Sequence, residues 1–403
     1  MDVPHIKILI CGGGNGAHTL AATASAKPNI TVNVLTLYAD EAERWSKALG
    51  DDSLLIDVTN NDGSKCELRG KPACITKDPA IAMAGVDAVF FVVPAFAHRQ
   101  YFLAIDPHLE PNTVIVGMPG QAGFEFQTLN CFRELTSKCA VISLESLPWA
   151  CRILEFGKKV QILGYKETLG SSLIAGHGDY KIKPPRALAQ HVLGKLPVLK
   201  RTNNYIAVNL MAKSLIHPPL MYGRWKDWDG KPLAEAPLFY QGVDDLQADL
   251  LSKVSDEVVA TATAIHEQRN ELDMSEVIHI FDWYTIYYKD QVSDITNLKT
   301  CMVTNKAYNG LLHPMKKVEG GVVPDFTYRY TSEDVPYGLV IIKGISECAG
   351  VNTPTIDMII EWAQQKLGKE YVVDGKLKGK DVEESRAPQA YGFTTLEDLC
   401  KVV

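Results

Sequence analysis

The stretch KSLIHPPLMYGRW, residues 213–225, places His217 directly before two prolines inside an apolar run spaced as for a helix. No helix carries such a pair through its middle unbent, because proline lacks an N–H and its ring clashes with the preceding turn. Pro218 also restricts the backbone of His217. The expectation is a kinked helix that offers His217 at its bend, where the imidazole can exchange a proton. The competing reading is a histidine satisfied by a carbonyl freed at the kink. A proton-handling histidine works best beside a carboxylate that fixes its tautomer and stabilises its charged form. The glycine-, proline- and aromatic-rich segment 320–338, GGVVPDFTYRYTSEDVPYG, supplies Asp325, Glu333 and Asp334, with Arg329 among them. Spacing does not choose between these acids, and each also reads as a solvated loop charge.

A second cluster lies near the start of the chain. In CGGGNGAHTL, residues 11–20, Gly12, Gly14 and Ala17 satisfy G-x-G-x-x-A, and Asn15 and Gly16 complete the turn. The first glycine permits a tight turn, the second lets a pyrophosphate approach the backbone, and the small third residue lets helix pack on strand. The free N–H groups of the helix that begins there would hold the anion. A ligand-free glycine turn is the alternative, at the entropic cost of three consecutive glycines plus Gly16. A dinucleotide cofactor is therefore expected. The second strand should end near Leu37, where an acidic residue takes the adenosine ribose hydroxyls. Asp40 and Glu41 are the nearest acids and favour NAD over NADP, although Arg44 could meet a 2′-phosphate. Pro94 and Ala95 follow a strand where the sheet order should reverse, beside the dinucleotide. His98, just beyond, reads as a loop residue.

These groups need elements to carry them. Residues 7–11, 31–37, 88–95, 112–118, 140–145 and 160–164 are short, continuously apolar and β-rich, with crossover lengths between them, as in a parallel sheet covered on both faces. Residues 53–70 break the pattern, and Asp62-Gly63 between alternating runs predicts an inserted hairpin. Beyond about residue 204 apolar residues recur every three or four positions over long stretches. The fold class expected is an α/β N-terminal Rossmann-type dinucleotide-binding domain, residues 1–204, followed by a mainly α-helical C-terminal domain, residues 205–403, for substrate binding and catalysis. The proline-bearing segment 181–204 is the expected transition.

The chain has 403 residues and a formal net charge of −7. Its basic residues are scattered, which argues against a nucleic-acid partner. Apolar runs fall short of the roughly 20 residues that span a bilayer. The beginning, MDVPHIKILICGG, places an acid and a strand where an export signal needs a cationic and then an apolar region. Nine dispersed cysteines without a C-x-x-C pair read as reduced cytosolic thiols, and no histidine pair has zinc spacing, so no metal is expected.

Many separate blocks, among them CGGGNGAHTL, LYADEAERW, VPAFAH, QAGFEFQ, LPWACR, HPPLMYGRW, APLFYQG, TNKAYNGLLHP, GGVVPDF, YRYTSEDVP, GKEYVVDGKLKGKDV and PQAYGF, resemble the invertebrate opine dehydrogenases over nearly the whole length. The resemblance implies a cytosolic, mostly monomeric enzyme that uses NADH to condense pyruvate reductively with an amino acid. It implies a catalytic pair at His217 and Asp334 and a contact of Arg329 with the cofactor pyrophosphate. Gln121, Glu145, Ser146 and Trp283 fall in blocks that line the substrate site, although Trp283 in FDWYTIYY alone would read as core. Lys213, four residues before His217, would share its face on a regular helix and point toward the amine, with a solvated lysine as the alternative. A cation there repels arginine and attracts the acid group of a small zwitterion such as alanine, glycine or taurine, whereas Glu145 pulls the other way. Two other classes compete: an NAD-dependent hydroxy-acid or polyol-phosphate dehydrogenase, in which His217 would protonate an alkoxide, and a non-catalytic dinucleotide-binding protein.

Overall fold

The computed structural model describes residues 4–132 and 136–401. The chain divides into two compact units, Met1–Tyr205 and Ile206–Val403. Twelve strands occupy the described part of the first unit: β1 (Ile6–Cys11), β2 (Ile30–Leu35), β3 (Leu54–Thr59), β4 (Lys65–Gly70), β5 (Cys74–Thr76), β6 (Ala88–Phe91), β7 (Val114–Gly117), β8 (Ala140–Leu144), β9 (Trp149–Glu155), β10 (Lys159–Tyr165), β11 (Thr168–Ile174) and β12 (Val198–Arg201). Eight form one sheet in the order β12-β11-β8-β7-β6-β1-β2-β5. From β8 to β5 all neighbours are parallel, and β11 runs antiparallel to β8.

Both faces of this sheet are covered, which is why its central strands β1, β6, β7 and β8 are apolar at nearly every position. Ile8, Ile10, Val32, Val34, Phe90, Val116 and Ile142 face a core closed by Leu20, Ala21 and Ala24 of the helix Asn15–Ser25 and by Leu188 and Val192 of the helix Pro185–Leu193. The alternate residues Leu9, Cys11, Val89, Phe91, Ile115 and Val141 face Phe102, Ile105 and Phe124 on the other side. The Rossmann-type expectation holds.

One detail differs from expectation. The run at residues 160–164 leaves the main sheet: β10 pairs with β3 and β9 in a second sheet, β4-β3-β10-β9, to which the expected hairpin β3–β4 also belongs. The helix Asn15–Ser25 packs so tightly here that a Cβ on Gly70 would lie 2.1 Å from the carbonyl oxygen of Ala22. The segment 181–204 supplies the helix Pro185–Leu193 and the strand β12, parallel to β11, and the division between the two units follows it directly.

The second unit is mainly helical, built on the helices His217–Trp225, Asp245–Gln268, Ile280–Tyr287, Val340–Cys348 and Pro354–Leu367. None of the helices searched is long and apolar enough to cross a membrane. Asp244 starts the longest helix with a capping box, its carboxylate accepting from Gln247 N while the Gln247 side chain accepts from Asp244 N. The Gln247 amide also donates to the carbonyl of Leu220, which fixes the helix His217–Trp225 against it. Lys343, 2% exposed, joins Val340–Cys348 to Pro354–Leu367 through Asp357, at 2.8 Å, with Glu347 at 3.5 Å.

Removing one member of a buried ion pair strands its partner away from water. Lys343→Met should therefore lower unfolding stability by about 3 kcal/mol, read as a reduced denaturant midpoint. An unchanged midpoint would mean that Asp357 and Glu347 find solvent without the lysine.

Candidate active site

His217 does not lie at a mid-helix bend. The preceding helix, Tyr205–Leu210, ends early, a 3-10 turn covers Lys213–Leu215, and His217 is the first residue of a new helix. Pro218 and Pro219 thus occupy the opening positions, where a missing N–H costs nothing and a fixed φ is preorganised. The same break removes the regular helix assumed for Lys213. Its ammonium instead stands 5.9 Å from the ring centroid of Trp283, which is half-buried and therefore not a core residue.

Asp334 precedes a π-helical turn, Val335–Leu339, and its carbonyl accepts from Leu339 N. This turn lies against the 3-10 turn so closely that a Cβ on Gly338 would fall 2.2 Å from Ser214 Oγ. Only glycine allows that approach, and it brings the two halves of the pair together. Nδ1 of His217 stands 2.6 Å from Asp334 Oδ2, with the side chains 17% and 10% exposed. A carboxylate can only accept, so Nδ1 carries the proton and Nε2 is the acceptor of the neutral imidazole. Among the three candidate acids, Asp334 is the partner. Asp325 pairs with Lys316 at 2.9 Å, and Glu333 with Arg329 at 3.5 Å. Arg329 is 58% exposed on the short helix Arg329–Ser332.

The surroundings of His217 are aromatic. Tyr330 stacks on the imidazole, 3.8 Å between centroids and 15° from parallel, and Phe239 closes another side at 5.7 Å. The Tyr240 hydroxyl lies 2.7 Å from Nε2. Tyr240 in turn stacks on Tyr308, whose hydroxyl donates to that of Tyr284 at 3.2 Å. Burial drives the phenols of Tyr240 and Tyr308 far above their ordinary pKa, so both stay protonated. Sequence reasoning assigned no role to Tyr240, Tyr308 or Tyr330. The available signal was a tyrosine in each of the blocks APLFYQG, TNKAYNGLLHP and YRYTSEDVP.

In the first unit the expected cofactor residues gather at the carboxyl ends of the strands. Gly12 follows β1 with φ +124°, and a Cβ there would lie 2.6 Å from Val92 O. A Cβ on Gly14 would meet nothing within 4 Å, so the backbone is open on that side. No side chain caps the helix Asn15–Ser25. Gly16 is pressed against Val92 and Leu147, and Ala17 is buried in the core. Strands β2 and β6 flank β1, so the order reverses at this crevice. These features fit a pyrophosphate at the glycine turn, against the first-turn N–H groups. Asn15 also has a structural task, since its Oδ1 accepts from Ile153 N at 2.8 Å. His18 braces the turn from below: its Nδ1 donates to Gly14 O, its Nε2 accepts from Gly157 N, and burial lowers its pKa to about 4.

Pro94 caps the helix Ala95–Ile105 beyond β6, and Ala95 is its first residue. His98 is not a loop residue; it is buried in that helix with Nε2 3.1 Å from Val93 O. Asp40 is exposed and bound to Arg44 at 2.9 Å, whereas the Glu41 carboxylate hydrogen-bonds Thr36 and stands where a Cβ of Gly13 would be. Glu41 thus abuts the glycine turn. Gln121 follows β7 with φ +61°, and its side-chain oxygen is buried without a hydrogen-bond partner among the described residues. Glu145 and Ser146 follow β8; Glu145 accepts from Gly170 N at 3.1 Å, and Ser146 meets Lys166.

Residues 201–367 match the family model described as NAD/NADP octopine/nopaline dehydrogenase, alpha-helical domain. An opine dehydrogenase of Haliotis discus hannai is 51% identical, with 99% of each chain covered. The chain belongs to the opine dehydrogenase family. It is accordingly an NAD-dependent oxidoreductase acting on CH–NH bonds. A tauropine dehydrogenase of Arabella iricolor is 48% identical over 98% of this chain and all of that one. Solved structures of octopine dehydrogenase superpose with a TM-score of 0.94 in complex with NADH and L-arginine, and 0.91 with NADH and pyruvate. Their identities are 47% and 46%, and 98% of this chain is covered in both, against 97% and 98% of theirs.

His217→Gln should retain NADH affinity and lose about 10²-fold or more in kcat, the scale of a positioned acid–base group. Asp334→Asn should lower kcat as well, because an amide can turn the imidazole to the wrong tautomer. Near-normal turnover in either variant would dissolve the assigned pair.

Proposed function

We propose that the chain condenses pyruvate with a small amino acid or taurine, reversibly, and that His217 and Asp334 exchange the proton of this reaction. The observation that carries the reading is the 2.6 Å bond from Nδ1 to Asp334, which leaves Nε2 as the proton-exchanging nitrogen. Amine and 2-oxo acid join with loss of water to an imine, and reduction of its carbon consumes a hydride and, over the cycle, one proton. Bound NADH supplies the hydride. The protein's own groups orient the reactants and hold the proton. Toward the opine His217 gives that proton up, and in reverse it takes one from the secondary amine.

Gly12, Gly14, Asn15, Gly16 and Ala17 form the pyrophosphate cradle in this reading, with Pro94 and Ala95 beside it and Arg329 as a further contact. NADH is favoured over NADPH because a 2′-phosphate would meet the carboxylates of Glu41 and Asp40, the latter already holding Arg44. Gln121, Glu145, Ser146, Lys213 and Trp283 are proposed for the substrates. The nine free cysteines, four of them partly or fully exposed, support residence in the reducing cytosol. The family resemblance supports a monomer.

The amine is proposed from Lys213, whose charge disfavours a guanidinium and favours a carboxylate or sulfonate. NADH oxidation with pyruvate and arginine, alanine, glycine, β-alanine or taurine tests this directly. Taurine or a small amino acid should give the highest kcat/KM, and Lys213→Tyr should shift selectivity toward arginine. Arginine as the best parent substrate, or selectivity unmoved by the substitution, would refute it. Arg329→Ala should weaken NADH binding by about 1.5–3 kcal/mol if a charge-assisted bond is lost; calorimetry showing the parent Kd would place Arg329 elsewhere.

A further inference from the structure

Both nitrogens of His217 are engaged. Nδ1 donates to Asp334, and Nε2, the nitrogen left for proton exchange, faces the hydroxyl of Tyr240 at 2.7 Å. Either Tyr240 moves aside during turnover or the proton passes through it.

The packing of Tyr240 decides between these. The residue is 7% exposed, and its ring stacks on Tyr308 at 3.9 Å and 15° and meets Phe239 edge-on at 4.8 Å. The backbone that carries it is clamped as well: Phe239 N donates to Leu311 O at 2.7 Å, and His313 N donates to Pro237 O at 2.8 Å. Swinging Tyr240 out would break the stack and expose a large apolar ring.

The geometry points to Tyr240 as a catalytic proton relay between Nε2 of His217 and the substrate. A phenolic hydroxyl has one proton to give and lone pairs to accept. Toward the opine, the proton on Nε2 moves to the Tyr240 oxygen as the Tyr240 proton leaves for the substrate atom that takes it up. In the opposite direction both protons move back. Only N–H and O–H bonds change, and Tyr240 is neutral before and after. No electrons leave the couple formed by substrate and nicotinamide. Burial, which disfavours a tyrosinate here, requires the two transfers to be coupled. Asp334 supplies the fixed countercharge behind the chain of hydrogen bonds.

The inference rests on His217 and Asp334 being the acid–base pair, and the experiment separates the two claims. NADH affinity, steady-state kcat and single-turnover rates in mixtures of light and heavy water are measured for the parent, Tyr240→Phe and His217→Gln. Phenylalanine preserves the stack and removes only the hydroxyl. Tyr240→Phe should bind NADH as the parent does and lose about 10-fold or more in kcat, less than His217→Gln because the imidazole remains to transfer its own single proton. The parent rate should fall as a bowed function of deuterium fraction, two protons being in flight, and the dependence should become linear in Tyr240→Phe. Turnover of Tyr240→Phe within twofold of the parent, or a linear dependence in the parent, overturns the relay. Full activity of His217→Gln would instead overturn the underlying pair. Should Tyr240→Phe fail to fold, the parent's dependence on deuterium fraction decides alone.

Discussion

The hydrogen bond from His217 to Asp334 joins residues 117 positions apart, and the helical unit is arranged around that closure. A histidine at the start of one helix must meet an aspartate at the start of another segment within 2.6 Å, with little water around either. Two local devices make this possible. Pro218 and Pro219 begin the helix at His217, so the imidazole stands at an end where chain direction changes. Gly338 then lets the π-helical turn after Asp334 press onto Ser214 without a side chain between them. The ion pair of Lys343 with Asp357 holds the helices that continue from this turn.

The first unit depends on closeness of another kind. Gly12 approaches the carbonyl of Val92, Gly16 approaches Val92 and Leu147, and the face beyond Gly14 is left open. The sheet order reverses at this point, so the free N–H groups of one helix face a crevice instead of a neighbouring strand. His18, flat against Trp45 at 3.5 Å between centroids, ties the turn to the second sheet through Gly157. An anion site of this sort is set before any ligand arrives, because its donors belong to backbone that the core has already placed.

Legibility in the sequence followed the range of the interactions concerned. The glycine turn, the buried parallel strands and the long helices are encoded within a few neighbouring residues and were readable from period and residue type. The four-stranded sheet was not, because an apolar run such as residues 160–164 reads the same in either sheet; its partner β3 is about a hundred residues away in sequence. The bend expected at His217 failed for a related reason. A pair of prolines signals discontinuity in a helix, yet it does not say whether the chain bends or starts again. Asp334 could not be chosen over Asp325 or Glu333 by spacing, since the choice is made by Gly338 against a turn more than a hundred residues earlier. The tyrosines around His217 come from three separate irregular segments, where no periodicity marks which side chain faces inward.

Burial alone does not give a histidine a chemical role, as others in this protein demonstrate. His18, His98 and His313 are deeply buried. Burial, with the charge of Arg224 adding to it, depresses the pKa of His313 to about 3, so it stays neutral and accepts from Trp225 Nε1. His18 likewise remains neutral, bonded to backbone groups at both nitrogens, and His98 serves the carbonyl of Val93. His279 does meet an acid, Asp256, but at 3.5 Å and with that carboxylate 70% exposed, where solvent screens the attraction. His217 combines what the others have separately: a short bond to a nearly buried aspartate and a second nitrogen committed to a protonated hydroxyl. Its neighbours Tyr330, Phe239 and Tyr240 are uncharged and cover the imidazole with aromatic surface. That combination holds one tautomer of a single imidazole in place within an aromatic wall, which neither a lone buried histidine nor a surface ion pair does.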